Sequence, residues 1–321
     1  MPQNPFGGPQ PLGVVYNTSM SRPDAALALA ELYGFQGKRE ARIGSVCVTG
    51  SGLNAAVFCD IVMRFYTLGP PRNANQVLPV GLAAVEPLPP DPPMVRAAVA
   101  GSYARSVKKL SDTSLAEAVL RNGVIFNAEA AVILSAPATC LAKSLDLLGV
   151  KQLYKERVKR LVIVDAGERQ DAASLRKVIA EWPTPIFYCG REVGEALPFP
   201  GERVATDFAW APAHPVVDAY RAYKPGAFDA PSYDVAAAHF AVHPDSGFFQ
   251  LSDAGSIAVE DDGRMKFTPG NGTVKALKVD PAQKSKIIER FVELASAKPV
   301  APPQRLRPPS DTKAPPPAAK K

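Results

Sequence analysis

The sequence predicts an α/β domain, a mainly parallel central sheet flanked by helices with a β-hairpin extension near the C-terminus. Three observations carry this. A strand, a turn and a helix follow one another in Val14 to Leu32, VVYNTSMSRPDAALALAEL. The same order recurs down the chain, with short apolar runs suited to strands buried on both faces. The last third then changes character, with two strand-like segments around a glycine-containing turn.

In the opening unit, Val14, Val15 and Tyr16 are β-formers that run into small polar residues. Pro23 suits a first helical turn, where its missing N–H costs nothing, and Asp24 complements the helix dipole there. Ala26, Leu27, Leu29, Ala30 and Leu32 continue the helix with an apolar face. Arg42 to Thr49 reads as a second strand, and Ala55 to Tyr66 as a helix with Val57, Ile61, Val62 and Phe65 on one side. Val77 to Leu82 offers a third strand. The prolines between Pro87 and Pro93 make a stiff connection. Met94 to Leu110 and Ser114 to Arg121 read as helices, the second with a capping box of Ser114 and Glu117. Ala130 to Ser135 is a buried parallel strand leading to a helix at Leu141 to Leu148. Arg160 to Val164, Ala172 to Glu181 and Pro185 to Tyr188 continue as strand, helix and strand. His214 to Tyr223 and Asp234 to Val242 suggest helices. Ser256 to Glu260 and Met265 to Thr268 form the hairpin, Val274 to Val279 adds a third antiparallel strand, and Pro281 to Ala297 closes the fold as a helix.

Three segments follow from composition: an N-terminal extension at 1–13, a folded body at 14–298 and a proline- and lysine-rich tail at 299–321, expected to be disordered. The formal net charge of +6 resides mostly in that tail, whose five bases face one acid. A nearly neutral body has no footprint for nucleic acid. No apolar run is long enough to span a bilayer. The N-terminus lacks a basic start and an apolar core, which places the sequence as given in the cytoplasm, or outside it if an export signal has been removed. Cys47, Cys59, Cys140 and Cys189 are scattered among apolar neighbours and read as buried free thiols.

The opening stretch resembles the Asp-x-Asp-x-x-x-Asp-Asp-Ala motif of the inosine-uridine-preferring nucleoside hydrolases. In that family the motif holds a calcium ion and the ribose. Its positions here are Asn17, Ser19, Pro23, Asp24 and Ala25, so one carboxylate of four is retained. Val48 to Tyr66 is similar to the family's strand, Gly-Asn turn and helix, with Ser51 in place of the ribose-contacting Asn. Ile133 to Leu145 resembles its Gly-Pro-Leu-Thr-Asn segment, with Thr139 at the residue that gives calcium a backbone carbonyl. Ser232 to Ala236 is similar to its His-Asp-x-x-Ala signature, with Asp234 as the metal-ligand carboxylate and Tyr233 at the His position. The resemblance spans roughly Val14 to Ala297 and implies a nucleoside-hydrolase-like layered fold.

It also implies hydrolysis of a ribonucleoside N-glycosidic bond. Asp24, Asp234 and Thr139 would hold a metal, while Asn17, Ser51 and Asp24 would contact the substrate. Such chemistry needs a base to activate water, stabilisation of a ribosyl cation and a route out for the leaving base. Ser19 stands at the general-base position, and a serine without a nearby His or Lys cannot deprotonate water. Calcium wants six to eight oxygens, several charged, so two carboxylates would bind it weakly. Asp24, Asp234 and Thr139 also suit simple roles in helix first turns and caps. Two functions are therefore expected to compete: a weak or inactive hydrolase of nucleosides or related N-ribosides, and a non-catalytic binding or assembly module, potentially a homo-oligomer. No P-loop, dinucleotide-binding glycine turn, GxSxG or HExxH motif occurs.

Overall fold

The computed structural model describes residues 10–67, 79–83, 87–168 and 170–300. The expected N-terminal extension lies outside them over 1–9, and the expected disordered tail over 301–321. Nine strands form one sheet in the order β4-β3-β2-β1-β5-β6-β7-β11-β8. They are β1 (Leu12–Thr18), β2 (Ala41–Val48), β3 (Val80–Leu82), β4 (Ser114–Leu115), β5 (Ala130–Ser135), β6 (Val158–Val164), β7 (Ile186–Cys189), β8 (Phe249–Leu251) and β11 (Lys275–Val279). All pairings are parallel except that of β8 with β11. A separate antiparallel ribbon joins β9 (Gly255–Val259) to β10 (Met265–Pro269), as the hairpin reading expects.

Helices cover both faces of the sheet. On one lie α1 (Pro23–Gly37), α2 (Leu53–Tyr66), α3 (Pro93–Ala100), α10 (Pro215–Tyr223), α11 (Tyr233–Val242) and α12 (Lys284–Ala295). On the other lie α4 (Ala116–Ile125), α5 (Thr139–Ser144), α6 (Val150–Arg157), α7 (Ala172–Glu181) and the hairpin. Two short helices, α8 (Arg191–Ala196) and α9 (Gly201–Thr206), follow β7. Helices α1 and α11 are enclosed nearly all round, which explains why Ala and Leu fill them without a polar stripe.

Four expectations need correction. The helix from Met94 stops at Ala100, because Gly101 is extended and Arg105 donates to the Val99 and Gly101 carbonyls. Beyond it, the Asp60 carboxylate takes the backbone N–H groups of Ser106 and Val107, holding that segment out of a helix. Ser114 does not cap a helix: with Leu115 it pairs to β3, and α4 begins one residue later without a side-chain cap. The helix at Leu141 to Leu148 is instead the shorter α5, and Gly149, at φ 76°, opens a new helix, α6. Finally, β11 leaves the hairpin and enters the main sheet between β7 and β8, keeping one bridge, Val274 to Gly255.

Candidate functional site

From β1 the chain winds outward through β2, β3 and β4 on one side, and through β5, β6 and β7 on the other. The carboxyl ends of β1 and β5, where Thr18 lies beside Ser135, therefore form the topological switch point at which open α/β sheets leave a crevice. The loop from β1 to α1 crosses this point. Met20 takes a left-handed φ of 51° there with its side chain buried, and Arg22 is the N-cap of α1 in an extended conformation.

Arg22 is the centre of the arrangement. Its Nε donates to Asp24 Oδ1 at 3.2 Å, its Nη2 to Asp234 Oδ1 at 2.6 Å, and its Nη1 lies 2.5 Å from Glu168 Oε1. Asp24 and Asp234 are buried, whereas the Glu168 side chain is 35% exposed. Asp24 Oδ2 accepts the backbone N–H of Asp234 at 2.8 Å, so one first-turn carboxylate caps the start of α11. Asp234 Oδ1 also accepts from Ser135 Oγ at 2.6 Å, and its Oδ2 from the Tyr16 hydroxyl. The Tyr233 ring covers the guanidinium, 5.6 Å from its carbon.

Three carboxylates thus share one guanidinium in a place largely closed to water. Burial, with Asp234 adding to it, raises the Asp24 carboxyl to about 7 against the opposing pull of Arg22. Burial works against the Arg22 charge, but Asp24, Asp234 and Glu168 outweigh it and hold the guanidinium ionised. Burial and Asp234 together keep Tyr16 a phenol, hence a donor.

The residues singled out from sequence separate into two groups. Asp24 and Asp234, two hundred and ten positions apart, are brought together. Tyr233 stacks beside them. Asn17 and Ser51 line the neighbouring strand ends: Asn17 Oδ1 accepts from Thr49 Oγ1 at 3.1 Å, and Ser51 Oγ donates to the Ser19 carbonyl at 2.6 Å. The Asn17 Nδ2 is buried and has no hydrogen-bond partner among the described residues. Ser19 Oγ lies 2.7 Å from Ser21 Oγ, which donates to Glu168. The Thr139 side chain is engaged elsewhere, donating to Asp171 Oδ2 at the start of α7. None of the three histidines reaches the site: His214 sits among Phe65, Tyr66, Phe208 and Trp210, His239 pairs with Glu31, and His243 with Glu40.

Sequence reasoning passed over Arg22, Tyr16, Ser135 and Glu168. A signal existed for Arg22, a cation set beside Pro23-Asp24 in a motif otherwise read for carboxylates. Glu168 follows the Asp165-Ala166-Gly167 strand end, a ligand-facing position with no distinctive pattern. The resemblance assigns calcium to Asp24, Asp234 and Thr139. The oxygens that would ligate it accept from N–H and O–H donors, and no group of three His, Cys, Asp or Glu side chains among the described residues could hold a metal. A surface cavity of about 520 Å³ lies at the opposite end of the sheet, lined by Leu12, Lys159 and His243, and contains none of these residues.

No protein-family model and no curated protein matches this sequence. Solved structures do. An inosine-uridine preferring nucleoside hydrolase from Bacillus anthracis superposes with a TM-score of 0.62 at 15% identity, over 88% of this chain and 99% of that one. A plant nucleoside hydrolase gives 0.62 at 14% identity, over 90% and 100%. The type III effector protein XopQ, solved in complex with adenosine diphosphate ribose, gives 0.62 at 14% identity, over 91% and 96%. The chain has a nucleoside-hydrolase-like fold.

Proposed function

We propose that this chain is a non-hydrolytic module that keeps a nucleoside-hydrolase-like fold for binding or assembly. One observation carries the reading: all four oxygens of Asp24 and Asp234 accept hydrogen bonds from within the chain. A general base must also reach water, and both carboxylates are buried; loss of a base typically costs ~10²–10⁴ in rate. At the base position expected from the resemblance stands Ser19, whose nearest polar partner is another serine. Hydrolysis also needs a group that binds the ribose hydroxyls as positive charge develops on the sugar. The carboxylates here are spent on Arg22 instead.

N-ribosides are the ligand class to test, because nucleoside hydrolases share the fold and one effector protein with it holds adenosine diphosphate ribose. Asn17 Nδ2, on β1 near the switch point, is a buried donor without a partner among the described residues. The test measures ribose release from inosine, uridine, adenosine and guanosine with added calcium, alongside calorimetric titration with the same nucleosides and adenosine diphosphate ribose. The expected result is no release above the uncatalysed rate. Robust release, abolished by Asp24→Ala or Asp234→Ala, overturns the proposal. A rearranged hydrolase is the second reading, favoured by the partial exposure of Glu168. It requires that Glu168→Gln abolish any release observed.

A further inference from the structure

We infer that the Arg22 guanidinium is the resident cation of this site, so that the chain takes no divalent metal at the carboxylates of Asp24, Asp234 and Glu168. This deepens the non-hydrolytic reading, but it is tested by cation binding, which can fail independently of hydrolysis.

Three carboxylates reach one point from three separate elements: the first turn of α1, the first turn of α11 and the loop after β6. Such a convergence of negative charge in a largely buried place calls for a cation between the groups or for protonation of one of them. In this chain the cation is covalently attached. A guanidinium presents its N–H donors in a fixed planar fork, and here three different nitrogens each serve a different carboxylate, at 3.2, 2.6 and 2.5 Å. A lysine ammonium also has three donors, but on a single nitrogen, so it cannot reproduce contacts spread over three nitrogens of a planar fork. A divalent ion among the same oxygens would meet a like charge and would have to displace hydrogen bonds from Tyr16 and Ser135 as well.

The substitution changes what the site can do. The guanidinium offsets part of the carboxylates' negative charge and ties the starts of α1 and α11 to each other, which is the structural share of a metal's work. It has no open coordination position for water or a ribose hydroxyl, and it does not acidify a bound water as a metal does. Its presence is also independent of the surrounding calcium concentration.

The experiment compares the full-length protein with Arg22→Ala and Arg22→Lys. Melting temperature is measured in chelator and in millimolar calcium, and bound metal is measured by elemental analysis. The native protein is expected to carry no stoichiometric calcium and to melt at the same temperature in both buffers. Arg22→Ala is expected to melt lower in chelator and to recover part of the loss in calcium, with a dissociation constant of roughly 10⁻⁴–10⁻³ M, as in low-charge sites. Arg22→Lys keeps a positive charge and is expected to stay insensitive to calcium. Stoichiometric calcium in the native protein, or a chelator-sensitive melting temperature, overturns the inference. So does an Arg22→Ala protein that is as stable as the native one and indifferent to calcium. Should Arg22→Ala fail to fold, the native metal content and the response of Arg22→Lys decide the matter.

Discussion

Replacing Asp234 with alanine tests the buried network most directly. The native side chain accepts from Arg22, Ser135 and Tyr16. Its removal leaves Arg22 short of one of three carboxylates, and it strands the Ser135 and Tyr16 hydroxyls. Breaking a buried ion pair from one side costs about 3–5 kcal/mol. Each stranded buried donor would cost about 1–3 kcal/mol if counted alone. These terms overlap in a single network and do not add. Tyr16 also has the Ala25 carbonyl at 3.3 Å to fall back on. The expected loss is therefore about 3–5 kcal/mol, a large part of a typical domain's stability. Asp234→Asn keeps the volume and one acceptor oxygen, and should lose about 1–3 kcal/mol. Urea unfolding at neutral pH, followed through Trp182 and Trp210, reads both values as shifts in midpoint at constant slope. A loss below about 1 kcal/mol for Asp234→Ala, within what a single exposed ion pair contributes, would refute the idea that this network holds α1 to α11.

Two other perturbations probe the core away from the site. Burial among aromatic rings lowers the His214 pKa to about 4, so unfolded chains take up a proton there at a higher pH than folded ones. Its contribution is intact above about pH 6.5 and is lost as pH falls toward 4, about 3 kcal/mol in all. His214→Phe should flatten that part of the stability profile, and an unchanged acid slope in urea titrations at stepped pH would count against the burial argument. Gly34 lies where α1 crosses α12, and a Cβ there would stand 2.2 Å from the Leu294 carbonyl oxygen. Gly34→Ala should therefore lower stability by about 1–3 kcal/mol despite alanine's better helix propensity, and a raised melting temperature would show the helices sit further apart.

Most of the parallel sheet could be read from the chain because its signals are local. Val14 to Tyr16, Ala130 to Ser135 and Arg160 to Val164 are short apolar runs followed by turns and helices, and each is a strand of the sheet. Pro23 and Asp24 mark the start of α1, and Asp171 that of α7, where its side chain caps the helix. The misread elements are those whose conformation depends on a distant partner. Ser114 is a strand because β3 is beside it, β11 joins β7 rather than the hairpin, and Met94 to Leu110 is interrupted by Gly101 and the Asp60 carboxylate.

The candidate site divides the same way. The resemblance singled out Asp24 and Asp234 as retained carboxylates and Ser19 as the base position. It did not identify Arg22, because nothing in the loop Ser19 to Pro23 says which groups that side chain will meet. Asp234 lies 212 residues away and Glu168 reaches the same point from the end of β6. Local propensity and periodicity determine strands and helices, since their hydrogen bonds close within a few residues or along one ladder. The charge state and partners of a buried guanidinium are decided only by which chain segments the folded sheet brings to its switch point.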